Sequence, residues 1–275
     1  MLAIAASYDI EEGAWPNHGL CLLFAEGTRP DREAIREFVR LQANVSISFD
    51  PASRPQLRLV RGEDAEAPAG DATNSDWLEL LWAGLTFDLS GFAPGRLTRV
   101  PDVKFSFDFD GKPPVSRLEA LHLVPGRHLA GGEASLPVVS ALLGLARDII
   151  AHFTEVEGAV WPPSKSVIGR RFFESSVTAW LDGGAFPVLG LTAFQESVDG
   201  GLQTSGLSYF IGQELRIEPS LSMDKLAATR LGIRLVNHLL LLGTLTREEH
   251  VIAPDGSRLV LAPSRNGKFI RVQPA

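Results

Sequence analysis

Residues 103–111 read VKFSFDFDG and alternate without a break: Val103, Phe105, Phe107 and Phe109 fall on one face, Lys104, Ser106 and Asp108 on the other. Successive strand side chains point to opposite sides, so this period of two describes a strand buried on one face and wet on the other. Such sheets are characteristically antiparallel, because parallel sheets are covered on both faces and read as unbroken apolar runs. The same stretch holds Asp108, Asp110 and Gly111 at calcium-loop offsets from Ser106. The twelfth position of that count is Arg117, where a bidentate Glu is needed, and strict alternation contradicts a loop.

On the N-terminal side, GLCLLFAEG (19–27) reads as a buried strand. TRPDREAIREFVRLQ (28–42) reads as a helix with Thr28 as cap, Pro30 in the first turn, and Ile35, Phe38, Val39 and Gln42 at helical spacing. VSISF (45–49) and QLRLV (56–60) are short strands, and 62–75 is an acidic exposed loop. DWLELLWAGL (76–85) has the capping-box spacing Asp76 to Glu79 and predicts a short helix.

On the C-terminal side, RLEALHLVP (117–125) and GAVWPP (158–163) are strands, while SLPVVSALLGLARDIIAHF (135–153) is a mostly apolar helix. A second helix, 169–184, turns Phe173, Val177, Trp180 and Leu181 inward and stops at a Gly pair. FPVLGLTAF (186–194) and LQTSGLSYFIGQELRIE (202–218) predict strands. The long helix 223–243 carries Ala228, Leu231, Leu235, Leu239 and Leu242 on its core face, and short strands around PDG and RNG turns close the chain.

Elements of both kinds are interspersed and many strands are spaced as hairpins. The expected fold is therefore α+β, with mainly antiparallel sheet or sheets and helices packed on one face. The Gly- and Pro-punctuated stretch 90–101 is the best internal break. It divides an N-terminal part, 1–100, from a C-terminal part, 101–275, which either stand as two α+β halves or pack as one unit; they share a rough order of elements, with no repeat strong enough to establish duplication.

The 275 residues are 45% hydrophobic and 21% charged, enough to bury a full core without disulfides or metal. A net charge of -7 repels phosphate backbones and anionic lipids on average, so neither nucleic acid nor membrane is an expected partner. Cys21 is the single cysteine and sits in an apolar run, which excludes an intramolecular disulfide and a Cys cage and predicts an inert thiol. The opening MLAIAASYDIEE lacks the basic flank of a signal peptide, and a cytoplasmic protein is expected.

Residues 159–166, AVWPPSKS, resemble a damaged phosphate loop. Ala159 and Ser164 stand at its glycine positions, and Pro162 and Pro163 have no N–H where donors would converge, so a strand end is the better reading. SMDK (222–225) matches S-x-x-K without its companion motifs, and Ser222 reads as a helix cap. The six histidines show no paired metal spacing, His122 reads as a core or edge imidazole, and no cofactor motif occurs. In 206–218, Leu207, Tyr209, Ile211, Leu215 and Ile217 share a face that Gln213 interrupts. Either Gly212 makes a bulge, or Gln213 is a buried amide that needs partners.

Residues 118–275 resemble an uncharacterised bacterial family, domain of unknown function 4261. The likeness rests on AVWPPS, FPVLGLTAF and TSGLSYFIGQELRIE, where Thr204, Gly206, Leu207, Phe210, Glu214 and Leu215 fit a T-x-G-L-x-x-F strand running into E-L-E. Ile211, Arg216 and the turn after Asp255 and Gly256 depart from that pattern. The resemblance implies a domain type and a bacterial setting, with no established reaction or cofactor.

Two readings follow. The first is a non-catalytic interaction module, for example secretion- or immunity-associated, whose acidic surface suits a basic protein partner. The alternative is a small-molecule sensor or enzyme, with a candidate ligand- or partner-facing set of Trp161, Lys165, Thr204, Gln213 and Glu214; the indole offers a stacking wall and the amide and carboxylate offer orienting groups. The apolar end of the last helix, Leu239 to Leu242, also suits homo-oligomer contact.

Overall fold

The computed structural model describes residues 18–53, 77–95, 97–253 and 255–275. The expected strand at 56–60 and the acidic loop 62–75 lie outside them. Two sheets organise the described residues. The first contains β1 (Leu20–Phe24), β2 (Val45–Phe49), β3 (Trp77–Trp82), β4 (Leu85–Ser90), β5 (Phe105–Phe107), β6 (Glu119–Pro125), β7 (Val156–Trp161) and β8 (Ser166–Gly169), in the order β2-β3-β4-β6-β1-β7-β8-β5. The second contains β9 (Ala193–Glu196), β10 (Leu202–Ser205), β11 (Glu214–Ile217), β12 (Glu249–Ile252), β13 (Arg258–Pro263) and β14 (Phe269–Pro274), in the order β12-β13-β14-β11-β10-β9. Ladders are antiparallel except β5–β8 and β11–β14, so the fold is α+β and mainly antiparallel.

The division expected at residue 100 does not coincide with a sheet boundary. β1 to β4 precede it and β5 to β8 follow it, yet all eight strands hydrogen-bond in one sheet. One face of that sheet carries Leu20, Leu22, Leu80, Leu89, Leu121, Leu123 and Ala159 against helices α1 (Arg32–Leu41), α2 (Leu136–His152) and α3 (Arg170–Leu181). Ten residues of α2 are buried, which follows from its nearly continuous apolar sequence. The other face packs Cys21, Leu23, Ala120, Val160 and Val167 under Phe109, Leu118, Val100 and Val103. The larger cluster continues into Leu202, Leu215, Leu261 and Val272 of the second sheet and into α6 (Lys225–Leu242), so one core spans both sheets.

Several local expectations need correction. Residues 77–82 form β3 and not a helix, because Leu78 and Leu80 alternate inward and the chain turns at Ala83–Gly84 into β4. Residues 103–111 contribute only the three-residue edge strand β5, which runs parallel to β8. In 186–194, Gly190 at φ 103° breaks the chain into a turn, α4 (Val188–Leu191), before β9. The stretch 202–218 is two strands, β10 and β11, joined through the helical turn α5 (Ser208–Ile211). Asp31 and not Thr28 caps α1, accepting from Ala34 N at 2.8 Å. Asp224 and not Ser222 caps α6; the Ser222 hydroxyl instead donates to Gly200 O. Leu242 leaves the core and is 49% exposed.

Candidate functional site

The hairpin between β10 and β11 gathers three of the five candidate residues. Gly206 adopts φ 99°, a conformation in which a side chain is strained, and α5 ends at Gly212 with φ 76°. This path turns the main-chain N–H groups of residues 206–208 toward the first residue of β11. Glu214 Oε1 accepts from Gly206 N at 2.9 Å, Ser208 N at 3.1 Å and Ser208 Oγ at 2.7 Å. Its Oε2 accepts from Thr204 Oγ1 at 2.6 Å and Leu207 N at 3.2 Å. Thr204 Oγ1 in turn accepts from Leu215 N at 2.7 Å. Consecutive N–H groups of this kind make an anion-binding concavity, and here an internal carboxylate occupies it. The motif residues Thr204, Gly206, Leu207 and Glu214 therefore act together as the closure of a hairpin.

Gln213 is 2% exposed and fully engaged. Its Nε2 donates to Leu245 O and Gly267 O, both at 3.1 Å, and its Oε1 accepts from Leu245 N at 2.7 Å. The break in the apolar face is thus a satisfied buried amide, and Gly212 ends a helical turn where a bulge was the other option. The amide ties the loop after α6 to the turn between β13 and β14.

Trp161 is completely buried, so it presents no stacking wall to solvent. Its ring stacks on Phe210 at 6.3 Å and 17° and meets Tyr209 edge-on at 5.4 Å. Phe210 leads on to Phe186, and Phe186 to Trp180. Tyr209 Oη donates to Glu133 O at 3.0 Å, anchoring the α5 turn beside the start of α2. This aromatic chain is the joint between the two sheets, and Trp161 Nε1 has no hydrogen-bond partner among the described residues.

Lys165 points the other way. It is exposed, sits in the left-handed region at φ 55°, and leads into the strand β8 ahead of α3. Its carbonyl accepts from Lys104 N and Phe105 N and so fastens β5 to the sheet. The structure brings Thr204, Gln213 and Glu214 onto one hairpin over Trp161 and leaves Lys165 outside. Two open surface depressions, along Arg171, Glu174 and Asp182 of α3 and along Glu33, Arg36 and Ser46 beside α1, involve none of the five.

One juxtaposition had no signal in sequence spacing. His122 of β6 pairs across the ladder with Cys21 of β1 and with Ser90 of β4, a nucleophile–base adjacency. Burial pushes the Cys21 thiol far up and holds His122 down at about 3, so both are neutral near pH 7 and no thiolate–imidazolium pair forms. On the same sheet face, burial and the opposing Glu79 push Asp88 up to about 6. No group of three or more His, Cys, Asp and Glu placed to hold a metal occurs among the described residues. None of their helices is long and apolar enough to cross a membrane. No protein-family model, curated protein or solved structure matches the chain.

Proposed function

We propose that this chain is a non-catalytic protein-interaction module, of the secretion- or immunity-associated kind, whose partner presents basic surface. The observation that carries the reading is the engagement of Glu214: a carboxylate with five internal donors has no acceptor capacity to spend on a substrate. Gln213 is consumed in the same way, and the Cys21–His122 adjacency is electrically silent. What the molecule offers outward is its net charge of -7, which steers cationic partners and whose effect salt screens.

The test is capture on the immobilised chain at low and high salt, followed by titration with the purified partner. A basic protein that binds at low salt with an affinity falling steeply with ionic strength is the expected result. A chain that retains no protein at either salt, and whose melting temperature rises saturably with a small molecule only while Trp161 and Glu214 are intact, overturns the reading in favour of a sensor or enzyme.

A further inference from the structure

The geometry points to a second interaction surface: we propose that two copies of this chain pair through the free edge of β12, extending the second sheet across a two-fold axis. Among the described residues the two sheets have four edge strands, and three carry a guard against such pairing. β5 has only three residues, β2 carries a register shift between Ile47 and Phe49, and β9 holds Glu196 in an ion pair with Lys225 at 3.0 Å. β12 is regular and ends in Ile252, a β-branched side chain that is 77% exposed.

The main-chain parity of β12 follows from its turn. Ala253 N donates to Ser257 O at 2.9 Å, and residues of an antiparallel pair alternate between bonding their partner and turning away from it. Counting back, Val251 and Glu249 bond to β13, and the N–H and C=O groups of His250 and Ile252 face the open edge. A second copy in antiparallel orientation can then set His250 against Ile252 of the first, twice, with the two Val251 side chains meeting at the axis. In this register Glu249 lies opposite Ala253. Sliding by one pleat puts Glu248 opposite Ile252, and one more opposes the two Glu249 carboxylates, so charge selects the first arrangement.

The helix above supplies a second layer. His238 pairs with Glu249 at 2.9 Å and marks the flank of α6 that faces β12, while Gly232, packed on Phe194 of β9, marks the opposite flank. At 3.6 residues per turn, Leu241 and Leu242 fall within about 60° of His238. They are 83% and 49% exposed, so apolar side chains border the open strand where a second α6 would arrive. A four-residue edge and one helix flank are small beside the roughly 1,000 Å² of a firm interface, so the dimer is expected to be concentration-dependent, with a micromolar Kd. The contact is independent of the proposed basic partner: a chain that fails to dimerise can still bind one.

Sedimentation equilibrium over a roughly hundredfold concentration range tests it. The wild-type mass should climb from monomer to dimer, and exchange of the His250 and Ile252 amides should slow as it does. His250→Pro deletes an outward donor and no β12–β13 bond; Ile252→Lys places a charge on the edge and disturbs no buried group. Both should stay monomeric with near-wild-type melting temperatures, and Ile252→Lys decides the matter if the proline variant fails to fold. A wild type that is monomeric throughout, including one that instead binds an added strand peptide, overturns the proposal. So does a dimer whose affinity Ile252→Lys leaves unchanged.

Discussion

Glu214 shows how a motif residue can be legible without its purpose being so. Its place after T-S-G-L is visible in the chain, but only the folded hairpin reveals five donors converging on one carboxylate. Glu214→Gln should lower unfolding stability by about 2 kcal/mol, since charge-assisted bonds weaken and a donor replaces an acceptor. Thr204→Val should cost about 1 kcal/mol, and the double variant less than the sum, which urea titrations of the cycle will measure. Two titrating groups on neighbouring strands set opposite pH slopes. Asp88 is pushed up to about 6, so its neutral form favours the fold at low pH and this contribution is lost as pH rises from about 4 through 6. Asp88→Asn should therefore stabilise at pH 8 by roughly 1 kcal/mol after allowance for solvent screening, and have little effect at pH 4. His122 is held down to about 3, so its neutral burial favours the fold above the ordinary imidazole range and is lost as pH falls from about 6.5 toward 3. His122→Asn should remove about 2 kcal/mol of the stability difference between pH 7 and pH 5, read from melting at each pH. Gln213 announced itself in sequence as an interruption of an apolar face; its partners Leu245 and Gly267 lie too far along the chain for any local pattern to name them.

At the level of elements, the helices α2 and α3 and the short strands β1, β2, β6 and β7 were read well, and 76–85, 186–194 and 202–218 were not. Both α2 and α3 lie where their spacing predicts. In 76–85, the apolar residues Trp77, Leu78, Leu80 and Leu81 fit a helical and a strand period alike, and the capping-box spacing tipped the balance the wrong way. The deciding feature is the pair of left-handed residues Ala83 (φ 50°) and Gly84 (φ 81°), a hairpin turn whose usual sequence is Asn-Gly. Ala83→Asn should raise stability by about 0.5 kcal/mol, since Asn tolerates that conformation better, and the melting temperature should rise accordingly. The strand at 103–111 was shortened for a tertiary reason. Asp108 turns to φ 53° and its carbonyl would lie 1.8 Å from any Cβ on Gly169, so the chain leaves the sheet where α3 begins.

Across the whole molecule, the decisive contact is the close approach of Gly206 to Ser164 and Leu191, which seats the β10–β11 hairpin on the aromatic joint around Trp161. A Cβ on Gly206 would come 2.7 Å from Ser164 Cβ and 2.9 Å from Leu191 O, at a φ that side chains avoid. Gly206→Ala should cost about 3 kcal/mol or more, and amide exchange should show protection lost in both sheets together, because one core spans them. The amino-acid sequence by itself determined the α+β class, the mainly antiparallel pairing and the amphipathic helices, because period and punctuation are local quantities that burial on one face must respect. It determined equally that residues 159–166 lack the donors of a phosphate loop, since proline has no N–H in any fold. Only the tertiary structure decided that strands on both sides of residue 100 join one sheet, that Trp161 is buried, and that Glu214 and Gln213 are already satisfied. Those outcomes depend on which distant strands meet, and that choice belongs to the core as a whole and not to any stretch of chain.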